Sequence, residues 1–170
     1  MEQPRLIAIS GATGIGKTAI AIAIATKLKA EIISFDSRQI YRELCIGVAR
    51  PSEEELRAVP HHLIAYKSIL DAYTAHHFVQ DCEAIFSQTI SNHKTYILCG
   101  GTGLYLRALE YGLDDLPSIR PNTIANIEEE MRLYGIEKLQ NRLQVIDAIS
   151  YNTIDISNPR RLQRILGLWD

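Results

Sequence analysis

The sequence has no surplus of charge of either sign: 18 Lys and Arg stand against 20 Asp and Glu, a net charge of −2 over 170 residues. That excludes a chain-wide polyanion-binding surface, so any nucleic-acid contact has to come from a local patch. Cysteine is scarce, odd in number and never in a C-x-x-C pair (Cys45, Cys82, Cys99), which argues against a disulfide framework and a zinc site and reads as three reduced, structural thiols. No apolar run approaches membrane-spanning length, and the first strand follows Met1 so closely that a signal peptide has no room. A soluble, cytoplasmic protein is expected. Repeats and low-complexity segments are missing too, and with 46% hydrophobic residues the chain has ample material for a core.

What is present centres on GATGIGKT, Gly11 to Thr18, which fits G-x-x-x-x-G-K-[ST] at every fixed position. The apolar run RLIAIS (Arg5 to Ser10) enters it and the helix former AIAIAIATKL leaves it. Gly11, Gly14 and Gly16 allow a tight turn whose N–H groups, with those of Ala12, Thr13 and Ile15, converge on phosphate oxygens at the positive end of a helix. Lys17 adds a point charge and Thr18 offers a hydroxyl to a divalent metal.

A helix from Lys17 to about Lys29 is expected to bury Ile20, Ile24 and Leu28. AEIISFD (Ala30 to Asp36) then reads as a buried parallel strand, completing a strand–loop–helix–strand crossover unit. The fold class is therefore α/β, a phosphate-loop NTPase-like, mostly parallel sheet flanked by helices. The stretch 37–60 reads as a long functional loop with one short helix at SEEELRAV, and 60–69 as room for a short strand. Thr74 caps an amphipathic helix reaching about Lys94, with Phe78, Cys82, Ile85, Phe86 and Ile90 apolar. TYILCG (Thr95 to Gly100) is the next buried strand, and GGTGLY a second glycine-rich turn into a helix. After the connector 114–122, helices over about 123–134 and 136–146 form a small helical insertion or lid, and Asn158-Pro159 opens a last helix. The resulting division is 1–116 as α/β core, 117–156 as helical insertion and 157–170 as a helix returning to the core. A parallel sheet of three or four strands wants a further edge strand, and nothing up to Asp170 supplies it.

A phosphate-loop ATPase carries a metal-holding carboxylate at the end of an apolar strand, and YILCGG lacks it. Asp36, after IISF, is the carboxylate in a comparable place; it is read as lying near the metal and the acceptor, or as a solvated capping residue. Ser37, Arg38, Gln39 and Tyr41 follow at once, and the Gln39 amide can donate and accept toward a base edge. Thr102 sits among three glycines, either close to a ligand or in a bare helix-start turn. His61-His62 and His76-His77 lack metal-ligand spacing and read as structural or surface residues. Arg160, Arg161 and Arg164 form a basic cluster on one helix, either a solvated face or a contact for RNA backbone.

Taken in order, GATGIGKT, IISFDSRQIYRELCIGVARPS, PHHLI, ILCGGTGLYLRAL and NPRRLQRIL resemble the tRNA dimethylallyltransferase (isopentenyltransferase) family along the chain, and the DSxQIY and GGTGLYL blocks are more specific than the phosphate loop. The resemblance implies transfer of a dimethylallyl group from dimethylallyl diphosphate to the exocyclic amine of the adenosine next to the anticodon of tRNA, with Mg2+. It makes residues 11–18 (Gly11, Ala12, Thr13, Gly14, Ile15, Gly16, Lys17, Thr18) the diphosphate site, Asp36 the general base with Lys17 and Thr102 beside it, and Thr18 and Asp36 the metal contacts. It also assigns Asp36, Ser37, Arg38, Gln39 and the segment Arg160, Arg161, Leu162, Gln163, Arg164 to tRNA. The implied partners are the anticodon stem-loop and the prenyl donor, with no membrane and a monomeric enzyme. Arg38 replaces a commonly apolar residue, and Arg160 a usual glutamine. Family members are considerably longer, so the resemblance implies a chain shortened at its C-terminus.

Three other functions fit part of the pattern. Prenyl transfer to a free adenine nucleotide would use the same donor site, a small-molecule kinase would use the loop for ATP with Asp36 as base, and an inactive fragment would only bind phosphate or RNA.

Overall fold

The computed structural model describes residues 4–88, 94–113 and 117–170. It divides into two compact units, Met1–Leu113 and Asp114–Asp170. In the first, β1 (Arg5–Ser10) leads into the phosphate loop and α1 (Lys17–Leu28) leaves it. β2 (Glu31–Ser34), α2 (Glu53–Ala58), β3 (His61–His62), α3 (Ala75–Ser87), β4 (Thr95–Gly100) and α4 (Gly103–Tyr111) follow. The sheet order is β1-β4-β2-β3, and every named pair is parallel. Because β4 lies between β1 and β2, with Ser10 opposite Gly100 and Ser34 opposite Cys99, the three strands end at one edge. The phosphate loop, the Asp36 turn and the GGTG turn leave from that edge, where ligands of open α/β sheets bind.

The expected parallel α/β architecture is thus the one observed, and strand alternation explains its two-sided core. Ile33, Tyr96 and Leu98 cluster with Phe78, Cys82 and Tyr105 of α3 and α4. Ile32 and Ile97 cluster instead with Ala21 and Ala25 of α1. Neighbours in sequence thus serve opposite faces, which is why β2 and β4 read as unbroken apolar runs. Among the described residues no strand pairs with the second edge of β1.

The buried stripe of α1 differs from the expected one. Ala21 and Ala25 are fully buried, Ile24 is half-buried, and Ile20 and Leu28 are 53% and 47% exposed. Small side chains let a helix lie close on a sheet, so the alanines took the contact that hydrophobicity alone awards to the isoleucines. The caps are clearer. Ser52 with Glu55, and Thr74 with His77, form reciprocal capping boxes that start α2 and α3. Ile90, expected on α3, lies outside the described residues.

The second unit comprises α5 (Pro121–Tyr134), α6 (Ile136–Ile146), α7 (Ala148–Thr153) and α8 (Pro159–Trp169). Ile127, Leu139, Leu143, Leu162 and Leu166 form its core. Arg142 joins Glu130 and Asp170, so a single guanidinium ties α5, α6 and the chain end. Asn158 caps α8 as its position before Pro159 predicts, accepting from the N–H groups of Arg160 and Arg161. The expected boundary at 156/157 falls inside this unit, because Leu162 and Leu166 carry α8 into the core shared with α5 and α6.

Candidate active site

The phosphate loop is built on left-handed backbone: Gly14 and Gly16 have φ of 85° and 88°, which a side chain would strain. Gly16 caps α1 without any side-chain hydrogen bond, so the first N–H groups of the helix have no side-chain cap. The Lys17 ammonium donates to the Ala12 carbonyl at 2.6 Å, reaching back across its own loop.

At the end of β2, Asp36 closes a turn on itself. Its Oδ1 accepts the backbone N–H of Arg38 at 2.9 Å and of Gln39 at 3.4 Å, while no hydrogen bond from a described residue reaches Oδ2. One carboxylate oxygen therefore fixes the side chain and the other is left for chemistry. Thr13, Gly14, Gly16, Lys17, Thr18, Asp36 and Gln39 line a single cavity of about 130 Å³, so the loop and the carboxylate face the same space. Its remaining wall is largely apolar, including Ala21, Ile32, Pro51 and Ile64. Cys99 is there too. Burial pushes its thiol up, against a pull from Lys17 and with a further push from Asp36, so the group is a neutral thiol.

Two side chains that sequence placed against ligands are occupied by the protein. The Gln39 amide donates to the Val48 and Ala49 carbonyls at 3.2 and 2.9 Å and accepts from the buried Ser34 hydroxyl at 3.0 Å. Both of its N–H groups are used, and they tie the 48–49 segment to the turn after β2. Thr102 accepts the Ser37 N–H and donates to the Ser37 hydroxyl, and its own N–H bonds the Phe35 carbonyl. The turn after β4 is thereby fastened to the turn after β2.

In the helical unit, Arg160, Arg161 and Arg164 are exposed, whereas the Leu162 side chain is fully buried. Gln163 is half-buried, 3.9 Å from the Met131 sulfur. Of the segment expected to meet RNA, the arginines alone present exposed side chains.

Sequence reasoning missed two residues. Arg50 donates to the Tyr41, Arg42 and Leu44 carbonyls and holds the loop after Asp36 in shape. His61 lines the cavity; the lone sequence signal for it, an adjacent histidine pair, carries no chemistry by itself.

Known proteins resemble this chain in sequence and in fold. The family model described as IPP transferase matches residues 39–170. A tRNA dimethylallyltransferase of Christiangramia forsetii is 42% identical over 163 residues, covering 96% of this chain and 54% of that protein. One from Flavobacterium johnsoniae is 42% identical over 158 residues, covering 93% and 51%. The full-length tRNA isopentenylpyrophosphate transferase of Bacillus halodurans superposes with a TM-score of 0.61 at 32% identity, covering 97% of this chain and 55% of that one. A eukaryotic dimethylallyltransferase acting on tRNA has a TM-score of 0.79 at 24% identity, covering 99% and 42%, and speaks for the fold alone. The chain spans about half the length of the curated relatives it matches.

Proposed function

The chain belongs to the IPP transferase family, and from that premise we propose that it transfers a dimethylallyl group from dimethylallyl diphosphate to the exocyclic amine of the adenosine next to the anticodon of tRNA. The observation that carries the reading is the shared cavity, where a phosphate loop and a half-satisfied carboxylate face one another. In the reaction the allylic C–O bond breaks, the electron pair leaves with the diphosphate, and a new C–N bond forms. The amine's proton passes to Asp36 Oδ2. An aromatic amine is a weak nucleophile, so a positioned base is worth roughly a hundredfold to ten-thousandfold. The loop N–H groups and Lys17 stabilise charge as it grows on the departing oxygens.

The donor set fits Mg2+. Thr18 and Asp36 bring hard oxygens to the cavity, and the described residues hold no cluster of three or more His, Cys, Asp or Glu that would suit another metal. Mg2+ is commonly held by one or two protein oxygens together with substrate phosphate and water. When bound, the ion neutralises developing charge on the leaving diphosphate.

The RNA partner is supported by exposed Arg160, Arg161 and Arg164 and by Ser37 and Arg38 beside Asp36, with Thr102 in a positioning role. The target base has to leave its stack to reach a cavity. The reading places a monomer acting on tRNA in the cytoplasm; no helix among the described residues is long and apolar enough to cross a membrane. Incubation with Mg2+, labelled dimethylallyl diphosphate and an unmodified anticodon stem-loop tests it. Label on the adenosine is expected; a chain that binds the donor and leaves the RNA unlabelled contradicts it.

A further inference from the structure

β3 ends at His62, and the chain soon passes through two left-handed residues that are not glycine, Leu63 at φ 60° and Ala65 at φ 52°. Residues with a side chain seldom adopt this region, and such backbone persists where the surroundings hold it in place. Here the Ala65 N–H donates to the Gln39 carbonyl at 2.9 Å and the Tyr66 N–H to the Ile40 carbonyl at 2.7 Å. The segment is thereby moored to the turn that follows Asp36.

The residue between the two is Ile64. Leu63 goes into the core with Phe35 and Phe78. Ile64 does not follow it: the residue is half-buried, stands in neither core cluster of the first unit, and lines the cavity that the phosphate loop and Asp36 share. Ala21 and Ile32, also in the cavity wall, belong by contrast to the core under α1. Ile64 is therefore a branched hydrocarbon side chain that the fold sets against the cavity without using it for its own packing.

We propose that Ile64 is a specificity-determining residue: its side chain is the wall on which a five-carbon allylic tail packs, and it stands in the way of a longer one. This rests on reading the cavity as an allylic diphosphate site. Burying one methylene-sized group is worth about fourfold in affinity, so contact with two carbons of the tail amounts to about tenfold. Because the 65–66 backbone is fastened to residues 39 and 40, the wall keeps its place relative to the turn that carries Asp36.

Calorimetric titration of the 170-residue chain with dimethylallyl diphosphate, the ten-carbon geranyl diphosphate and methyl diphosphate, each with Mg2+, tests this without requiring RNA. Methyl diphosphate keeps the headgroup and has no tail, so it is the reference for the phosphate loop. The wild-type chain is expected to bind the five-carbon donor about tenfold tighter than the ten-carbon one. Ile64→Ala should weaken the former and strengthen the latter, so that the ratio falls to about one or inverts. Ile64→Phe should weaken dimethylallyl diphosphate by about tenfold and leave methyl diphosphate unchanged, a split that loss of folded protein would not produce. Equal affinities of the wild-type chain for the two donors, both above methyl diphosphate, overturn the proposal even if the variants do not fold, and so does an unchanged ratio in a folded Ile64→Ala. A different result, in which methyl diphosphate binds and neither allylic tail adds affinity, overturns the allylic-site reading beneath it.

Discussion

Thr102 and Ser37 are joined twice: the Ser37 N–H donates to Thr102 Oγ1 at 2.9 Å, and the Thr102 hydroxyl donates to Ser37 Oγ at 3.1 Å. The pair spans 65 residues of sequence and fixes the turn that carries Asp36. Its contribution to the reaction is therefore positional, and displacement of a reacting group by about 1 Å costs on the order of a hundredfold in rate.

Thr102→Val removes both bonds and keeps the shape. The turnover of prenyl transfer is expected to fall by roughly tenfold to a hundredfold, with the affinity for dimethylallyl diphosphate little changed. Thr102→Ser should restore most of the rate. Steady-state transfer assays beside donor titrations read both quantities.

Gly100 allows β2 and β4 to approach. A Cβ there would lie 2.6 Å from the Phe35 carbonyl carbon and 2.7 Å from its oxygen, backbone atoms that cannot rotate away. Gly100→Ala is expected to destabilise the chain by about 1–3 kcal/mol and to push the residue preceding Asp36. A lowered thermal midpoint with reduced transfer would support this; an unchanged midpoint would contradict it.

Glu31 gives the stability curve an acid limb. Burial raises its carboxyl, but hydrogen bonds and charges from Lys94 and His62 outweigh burial and hold it below its ordinary value of 4.5. A depressed carboxylate stabilises the fold above its unfolded value, and that stability is lost as pH falls through the folded value. Wild type should therefore lose stability below about pH 4.5, and Glu31→Gln should lose less over the same window. Urea melts at neutral pH and at about pH 3.5 compare the two slopes.

What could be read from the sequence was what local chemistry decides. The glycines, Lys17 and Thr18 form a phosphate loop wherever strand and helix flank them, and Ser52, Thr74 and Asn158 cap the helices that follow them. Reading failed where long-range packing decides. Helical spacing marks a stripe on α1, but only the sheet beneath it selects Ala21 and Ala25 over Ile20 and Leu28. The Val48 and Ala49 carbonyls that meet the Gln39 amide are brought there by the loop, and no local pattern announces them. His61 joins the cavity lining beside Ile32, Ile64 and Pro51, residues that other elements bring there and that a histidine pair does not announce. The α8 segment was legible as a helix, while its place in the core of the second unit depended on partners in α5 and α6.

Lys17→Ala removes the loop's point charge. A charge-assisted contact to phosphate is worth about 1.5–3 kcal/mol, so diphosphate affinity should drop by about tenfold or more. Unchanged affinity in calorimetry would remove Lys17 from the donor site.

Asp36→Asn tests the central claim most directly, because asparagine keeps the oxygen that accepts the Arg38 and Gln39 N–H groups and loses the capacity to take a proton. Donor affinity by calorimetry and label transfer to the anticodon stem-loop are measured on the same preparation. The predicted result is donor binding that is retained but weakened, since Thr18 and the loop still meet the metal and the diphosphate, with transfer reduced by roughly a hundredfold to ten-thousandfold. Transfer at the wild-type rate would contradict it, since the cavity would then have a base other than Asp36.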